Sequence, residues 1–208
     1  MEDWQTATTL HDLGELTARW LEGAGGHPGY DGRPDEETLP IAGHLAAANR
    51  SGYVTYSSQP EFHGPGYDGA TWWQRAAVEG LTDQAGLDRL RRAAARHPRL
   101  HIVAQTAARV RTSYKEAVPV SAREDGGPRG MLGQPRLEET TCAFGARLPV
   151  RELVLMFGGQ VSPALRRVLR GAVQVTIADR YWGGWSRRCG ARWTSSRPAD
   201  RPTPHTCT

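Results

Sequence analysis

Leu10, Leu13, Leu16, Trp20 and Leu21 recur at intervals of three and four residues, which lays one apolar stripe along a helix. Thr9 and Asp12 precede that stripe at capping-box spacing, with Asp in place of the usual Glu or Gln. Gly23 to Pro34 holds five glycines and two prolines and reads as a loop. Asp35 is a suitable N-cap, Glu36 and Glu37 suit the first turn of a helix dipole, and this second helix is expected to reach Ala48. Asn49-Arg50-Ser51-Gly52 ends it, and Tyr53-Val54-Thr55-Tyr56 has strand propensity.

Further along, Ser57 to Ala70 is rich in Gly and Pro and reads as a second loop. Thr71 is placed to cap a helix through Trp73, Ala76, Ala77 and Glu79, and another helix is expected over about 84–96. Strands are expected at Leu100 to Val103, more weakly at Arg109 to Tyr114, at Thr140 to Phe144, and at Ala172 to Ala178. Val150 to Phe157 reads as a short helix, and Ser162-Pro163 supplies an N-cap and an N1 proline for one that ends at Gly171. Ser121 to Pro135 holds six Gly or Pro residues and reads as a mobile loop. Helices and strands mix without a strict βαβ rhythm. The expected class is α+β (mixed α/β), one domain over residues 1–182 with peripheral helices covering a mixed sheet.

Composition adjusts this picture in few places. Hydrophobic residues make up 38% and charged residues 23% of the 208, as in an ordinary globular protein. The net charge of +4 comes from the last 26 residues: Arg187, Arg188, Arg192, Arg197 and Arg201 face only Asp200, so residues 1–182 carry 21 basic and 21 acidic side chains. Residues 183–208 read as an Arg/Ser/Thr/Pro-rich, disordered tail. Nucleic acid is not an expected partner, because phosphate binding needs clustered basic groups and Arg89, Arg91, Arg92 and Arg96 read as a solvated helix face. The longest apolar run, Leu153 to Phe157, cannot span a bilayer. The start, Met1-Glu2-Asp3-Trp4, has no basic segment followed by an apolar one, so a cytoplasmic location is expected. Cys142, Cys189 and Cys207 form no CxxC pair, and the seven histidines show no metal-ligand spacing.

The polar ends of one αβ unit carry the candidate chemistry. Glu37 and Thr38 stand at a helix start, where free N–H groups accompany a carboxylate and a hydroxyl. Thr55, Ser58 and Gln59 stand where the chain returns as a strand that Pro60 breaks. The two ends can meet around a small polar ligand, or they can simply be a cap and a turn. Trp72 and Trp73 can wall an adenine or anchor a helix. Glu37 and Glu79 form a carboxylate pair only if their helices meet. His63, in the glycine-rich loop, is the best candidate for a general base. No glycine-rich phosphate loop follows a strand, so a Rossmann methyltransferase finds no support, and Ser57 and Ser58 lack a nucleophile elbow.

With those residues in view, the segment from Trp4 to about Val110 resembles the C-terminal regulatory domain of eukaryotic methylenetetrahydrofolate reductase, more weakly to Glu152. Glu37-Thr38, Asn49-Arg50 with Gly52, Thr55 and Ser58-Gln59-Pro60 carry the resemblance at the family's spacing, joined by Trp20 to Gly23, Gln74, Ala76 and Glu79. It implies a pocket for S-adenosylmethionine or S-adenosylhomocysteine contacted by Glu37, Thr38, Thr55 and Ser58, with Thr140 or Thr141 in place of a later threonine. It also implies a homodimer, since related domains pair. The family's flavin-dependent barrel has no counterpart in 208 residues. The expectation is therefore a stand-alone, regulatory ligand-binding domain. An enzyme using the same pocket and an interaction module that lost its ligand are the alternatives.

Overall fold

The computed structural model describes residues 2–66, 68–106, 117–124 and 137–182. The strand expected at Arg109 to Tyr114, most of the loop expected over residues 121–135, and the tail all lie outside these residues.

The N-terminal helices are α1 (Glu2–Thr6) and α2 (Leu10–Leu21). The capping box forms as the spacing implies: Asp12 N–H donates to Thr9 Oγ1 and Thr9 N–H to Asp12 Oδ2, both at 3.0 Å. The next helix starts later than expected. Asp35 to Thr38 forms a turn, Leu39–Ile41 a 3₁₀ turn, and α3 only Ala42–Arg50, because Pro40 is accommodated at the first positions of the 3₁₀ turn. Helices α2 and α3 pack closely where Gly14 meets Asn49; a Cβ at Gly14 would lie 2.4 Å from the Asn49 carbonyl oxygen. Gly52, at φ +91°, makes the left-handed turn into the first strand.

The strands are β1 (Val54–Gln59), β2 (Phe62–Pro65), β3 (Thr71–Gln74), β4 (Ala77–Thr82), β5 (Leu100–Gln105), β6 (Val118–Glu124), β7 (Leu137–Phe144) and β8 (Val173–Asp179). The remaining helices are α4 (Gln84–Ala94), α5 (Val150–Met156) and α6 (Pro163–Gly171). The class is α+β, and the strands divide into two antiparallel sheets, ordered β1-β4-β8-β5 and β2-β3-β6-β7, rather than one mixed sheet.

Two expectations fail at this division. The loop expected from Ser57 to Ala70 is half strand, as β1 runs on to Gln59 and β2 pairs with β3. The helix expected after Thr71 is β3 and β4. Trp73 and Ala77 stand four residues apart, a helical interval, but they belong to different sheets on either side of a crossing at Arg75 and Ala76. Pairing with partners remote in sequence, Trp73 with Ala122 and Ala77 with Ala178, overrides the local period.

The first sheet is covered on both faces. On one, Leu87 of α4 packs with Tyr53, Val173 and Val175. The alternate residues of β8, Gln174 and Thr176, point to the other face. There Val54 and Leu81 join Leu153, Phe157, Leu165 and Leu169. The segment from Gly145 to Leu148 is strapped across by side chains of the sheet: Gly145 N–H donates to Glu79 Oε1 at 2.6 Å, and Gln174 bonds both the N–H and the carbonyl of Leu148 at 2.7 Å. That strap delivers α5 to the edge formed by β1. Among the described residues no helix is long and apolar enough to cross a membrane.

Candidate functional site

A cavity of about 130 Å³ opens beside β1, the edge strand of the first sheet. Four consecutive residues of β1, Thr55 to Ser58, reach it. A regular strand would turn alternate residues away. Here the pairing with β4 slips between Thr55 and Ser57, a bulge that twists the strand and leaves Tyr56 without a partner opposite it.

Thr55 is held firmly. Asn49, wholly buried, donates from Nδ2 to Thr55 Oγ1 at 2.7 Å and to the Leu45 carbonyl at 2.8 Å, while its Oδ1 accepts from Thr55 N–H at 3.0 Å. The Thr55 hydroxyl thus uses a lone pair internally and keeps its hydrogen to donate. Thr38 lines the same cavity, placed by the turn in which its N–H donates to the Asp35 carbonyl at 2.8 Å. The two threonines therefore share one cavity with Ser58.

Other expected site residues lie elsewhere. Glu37 is exposed and does not line the cavity; the carboxylate that does is Asp35. Gln59 is buried as a joint between the sheets, its Nε2 donating to the carbonyls of Arg75 (3.1 Å) and Val120 (2.8 Å) and its Oε1 accepting from Ser121 (2.8 Å). His63 sits on β2, not in a loop beside the pocket, with its ring 3.8 Å from that of Trp73. Trp72 and Trp73 belong to β3, and neither walls the cavity. Glu79 is engaged by Gly145 and by Thr176 Oγ1 at 3.0 Å, and burial raises its pKa above the ordinary carboxyl value. Thr141 falls in β7, but its side chain lies outside the described residues.

The glycine-rich loop of residues 23–34, which sequence reasoning passed over, builds the remaining wall. Trp4 Nε1 donates to the Gly26 carbonyl (3.0 Å) and Trp20 Nε1 to the Gly32 carbonyl (2.9 Å), pinning the loop at two points. His27 and Tyr30 line the cavity with Trp20, and Met156 and Phe157, at the end of α5, complete it. Tyr30 stacks on Trp20 at 5.0 Å, and its hydroxyl donates to the Tyr56 carbonyl at 3.3 Å. Burial lowers the His27 pKa to about 4, so the ring is neutral at physiological pH. The signal in the sequence was two indoles upstream of a loop too rich in glycine to be shaped by its own side chains.

An apolar cavity of about 150 Å³ holds one benzene ring. This one accepts a single planar group rather than a whole nucleoside, and its lining combines polar side chains with aromatic rings. A lining of polar and apolar surface in nearly equal parts suits a small molecule with a flat ring and hydrogen-bonding groups.

No curated protein matches the chain. A family model described as a domain of unknown function, DUF6919, matches residues 1–190, and the chain belongs to that family.

Proposed function

We propose that the protein is a binding module for S-adenosylmethionine or S-adenosylhomocysteine, with the adenine ring in the cavity and the ribose and amino-acid arm at its mouth. The observation that carries this reading is the meeting of Thr38, Thr55 and Ser58, three residues that bear the resemblance to the reductase regulatory domain, on one cavity. Trp20, Tyr30 and Phe157 add aromatic faces on which a purine stacks favourably. Asp35, in place of Glu37, supplies a carboxylate able to accept from an amino group or from ribose hydroxyls. The same reading carries a cytosolic location and, through the resemblance, a homodimer that gel filtration tests.

The test is thermal denaturation with either compound. A ligand that binds only the native state at a hundredfold excess over Kd stabilises by about 2.7 kcal/mol. Thr55→Val removes the donor hydroxyl and should abolish the shift while the protein stays folded. Absence of any shift at millimolar ligand defeats the reading.

A further inference from the structure

His27 carries the most specific chemistry in the cavity wall. It is only 7% exposed and is enclosed by Trp4, Trp20 and Tyr30, whose ring centroids lie 4.6, 4.8 and 5.0 Å away. A neutral imidazole has one donor nitrogen and one acceptor nitrogen, and the partner of one fixes the role of the other. Gly29 N–H donates to His27 Nδ1 at 3.1 Å, so the ring hydrogen resides on Nε2. Among the described residues no group accepts from that Nε2–H.

Nor is the nitrogen sealed away. Among the described residues the side-chain nitrogen that is both fully enclosed and without a partner is Arg75 Nε. Nε2 of His27 is therefore not fully enclosed, and His27 is a residue of the cavity wall. A largely desolvated donor without an acceptor is a standing cost, which a ligand atom of the right kind relieves.

We propose that His27 selects the ring of the ligand, its Nε2–H donating to a ring nitrogen of a planar N-heteroaromatic base held between the aromatic walls. This rests on the ligand-binding reading above and narrows it to bases that present an acceptor nitrogen in the ring plane. Trp20 and Phe157 supply shape and stacking, which any flat ring satisfies; His27 supplies the one contact that a carbocycle of the same outline lacks.

Titration calorimetry of the full chain with adenosine and its 1-deaza, 3-deaza and 7-deaza analogues tests this, because each analogue replaces one ring nitrogen by CH. One analogue should bind about tenfold more weakly than adenosine, or about 1.4 kcal/mol, as expected for one unpaired donor. In His27→Phe, which keeps an aromatic ring in the cluster, that discrimination should vanish. Equal affinity for all four compounds, or discrimination that survives in His27→Phe, overturns the proposal and leaves the ligand-binding reading intact. Failure of all four to bind while S-adenosylhomocysteine still shifts the melting temperature overturns the proposal alone; failure of that compound as well removes both. A long-range ¹⁵N–¹H spectrum of ligand-free protein reads the tautomer without any variant: hydrogen on Nε2 is expected, and hydrogen on Nδ1 overturns the assignment of His27 as donor.

Discussion

The two ends of β1 put similar polar residues to opposite uses. At Thr55 to Ser58 the strand bulges at a sheet edge, and its side chains meet a cavity that the protein itself leaves open. One residue later, Gln59 is buried and spends both ends of its amide on Arg75, Val120 and Ser121, tying the two sheets together. Residue type does not separate them; what differs is whether the protein supplies every partner. Where it does, the polar group is architecture. Where hydrogen-bonding capacity is left over beside a void, the group is available to a ligand.

The sharpest way to break this contrast is at the joint. Gln59→Leu leaves a buried Ser121 hydroxyl and two carbonyls without their partner and should cost about 4 kcal/mol in chemical denaturation. Adenosyl ligand should still stabilise whatever folds. A variant of unchanged stability would mean that Gln59 is not the joint described.

Acid attacks the other side. His27 titrates at its ordinary 6.5 when unfolded and at about 4 when folded, so between these values the unfolded chain binds more protons. Its contribution is complete above about pH 6.5 and is lost as pH falls through 4, amounting to about 3 kcal/mol. Glu79 acts in the opposite direction: with its pKa raised by burial, it lowers stability as pH climbs above the ordinary 4.5. Denaturation midpoints across this range should show the histidine component disappear in His27→Phe and the carboxylate component in Glu79→Gln.

Smaller effects sharpen the contrast. Thr55→Val takes one acceptor from the buried Asn49 amide and should cost about 1 kcal/mol in stability, far less than Gln59→Leu, while eliminating the ligand-induced shift. Smallest of all, Glu37→Gln should leave ligand affinity within about twofold, whereas Asp35→Asn should weaken it several-fold by calorimetry. The reverse order would restore Glu37 as the acid that meets the ligand.

Elements set by their own residues were readable in advance. The Thr9–Asp12 capping box, the Ser162-Pro163 helix start and the apolar run of β8 carry their signals within a few positions. Thr38, Thr55 and Ser58 were also legible, through a motif of fixed spacing. The hairpin of β2 and β3 was not, because its strands depend on β6, whose Ala122 pairs with Trp73, 49 positions earlier in the chain. Gln59 gave no sign of its role, since Val120 and Ser121 lie 61 and 62 residues away. His27 and Tyr30 looked like loop filler until the indoles of Trp4 and Trp20 and the end of α5 enclosed them.

Gly14 is buried in the seam between α2 and α3 and does not line the cavity, yet a single methyl there would strike the backbone of the residue whose amide aims the Thr55 hydroxyl. Helix spacing and hydroxyl bearing are thereby geared together. A mutation that looks like harmless thickening of an interhelical seam would push the Asn49 backbone and, through its amide, a hydroxyl of the cavity wall, so the quietest position in the fold is also one of its trimming screws.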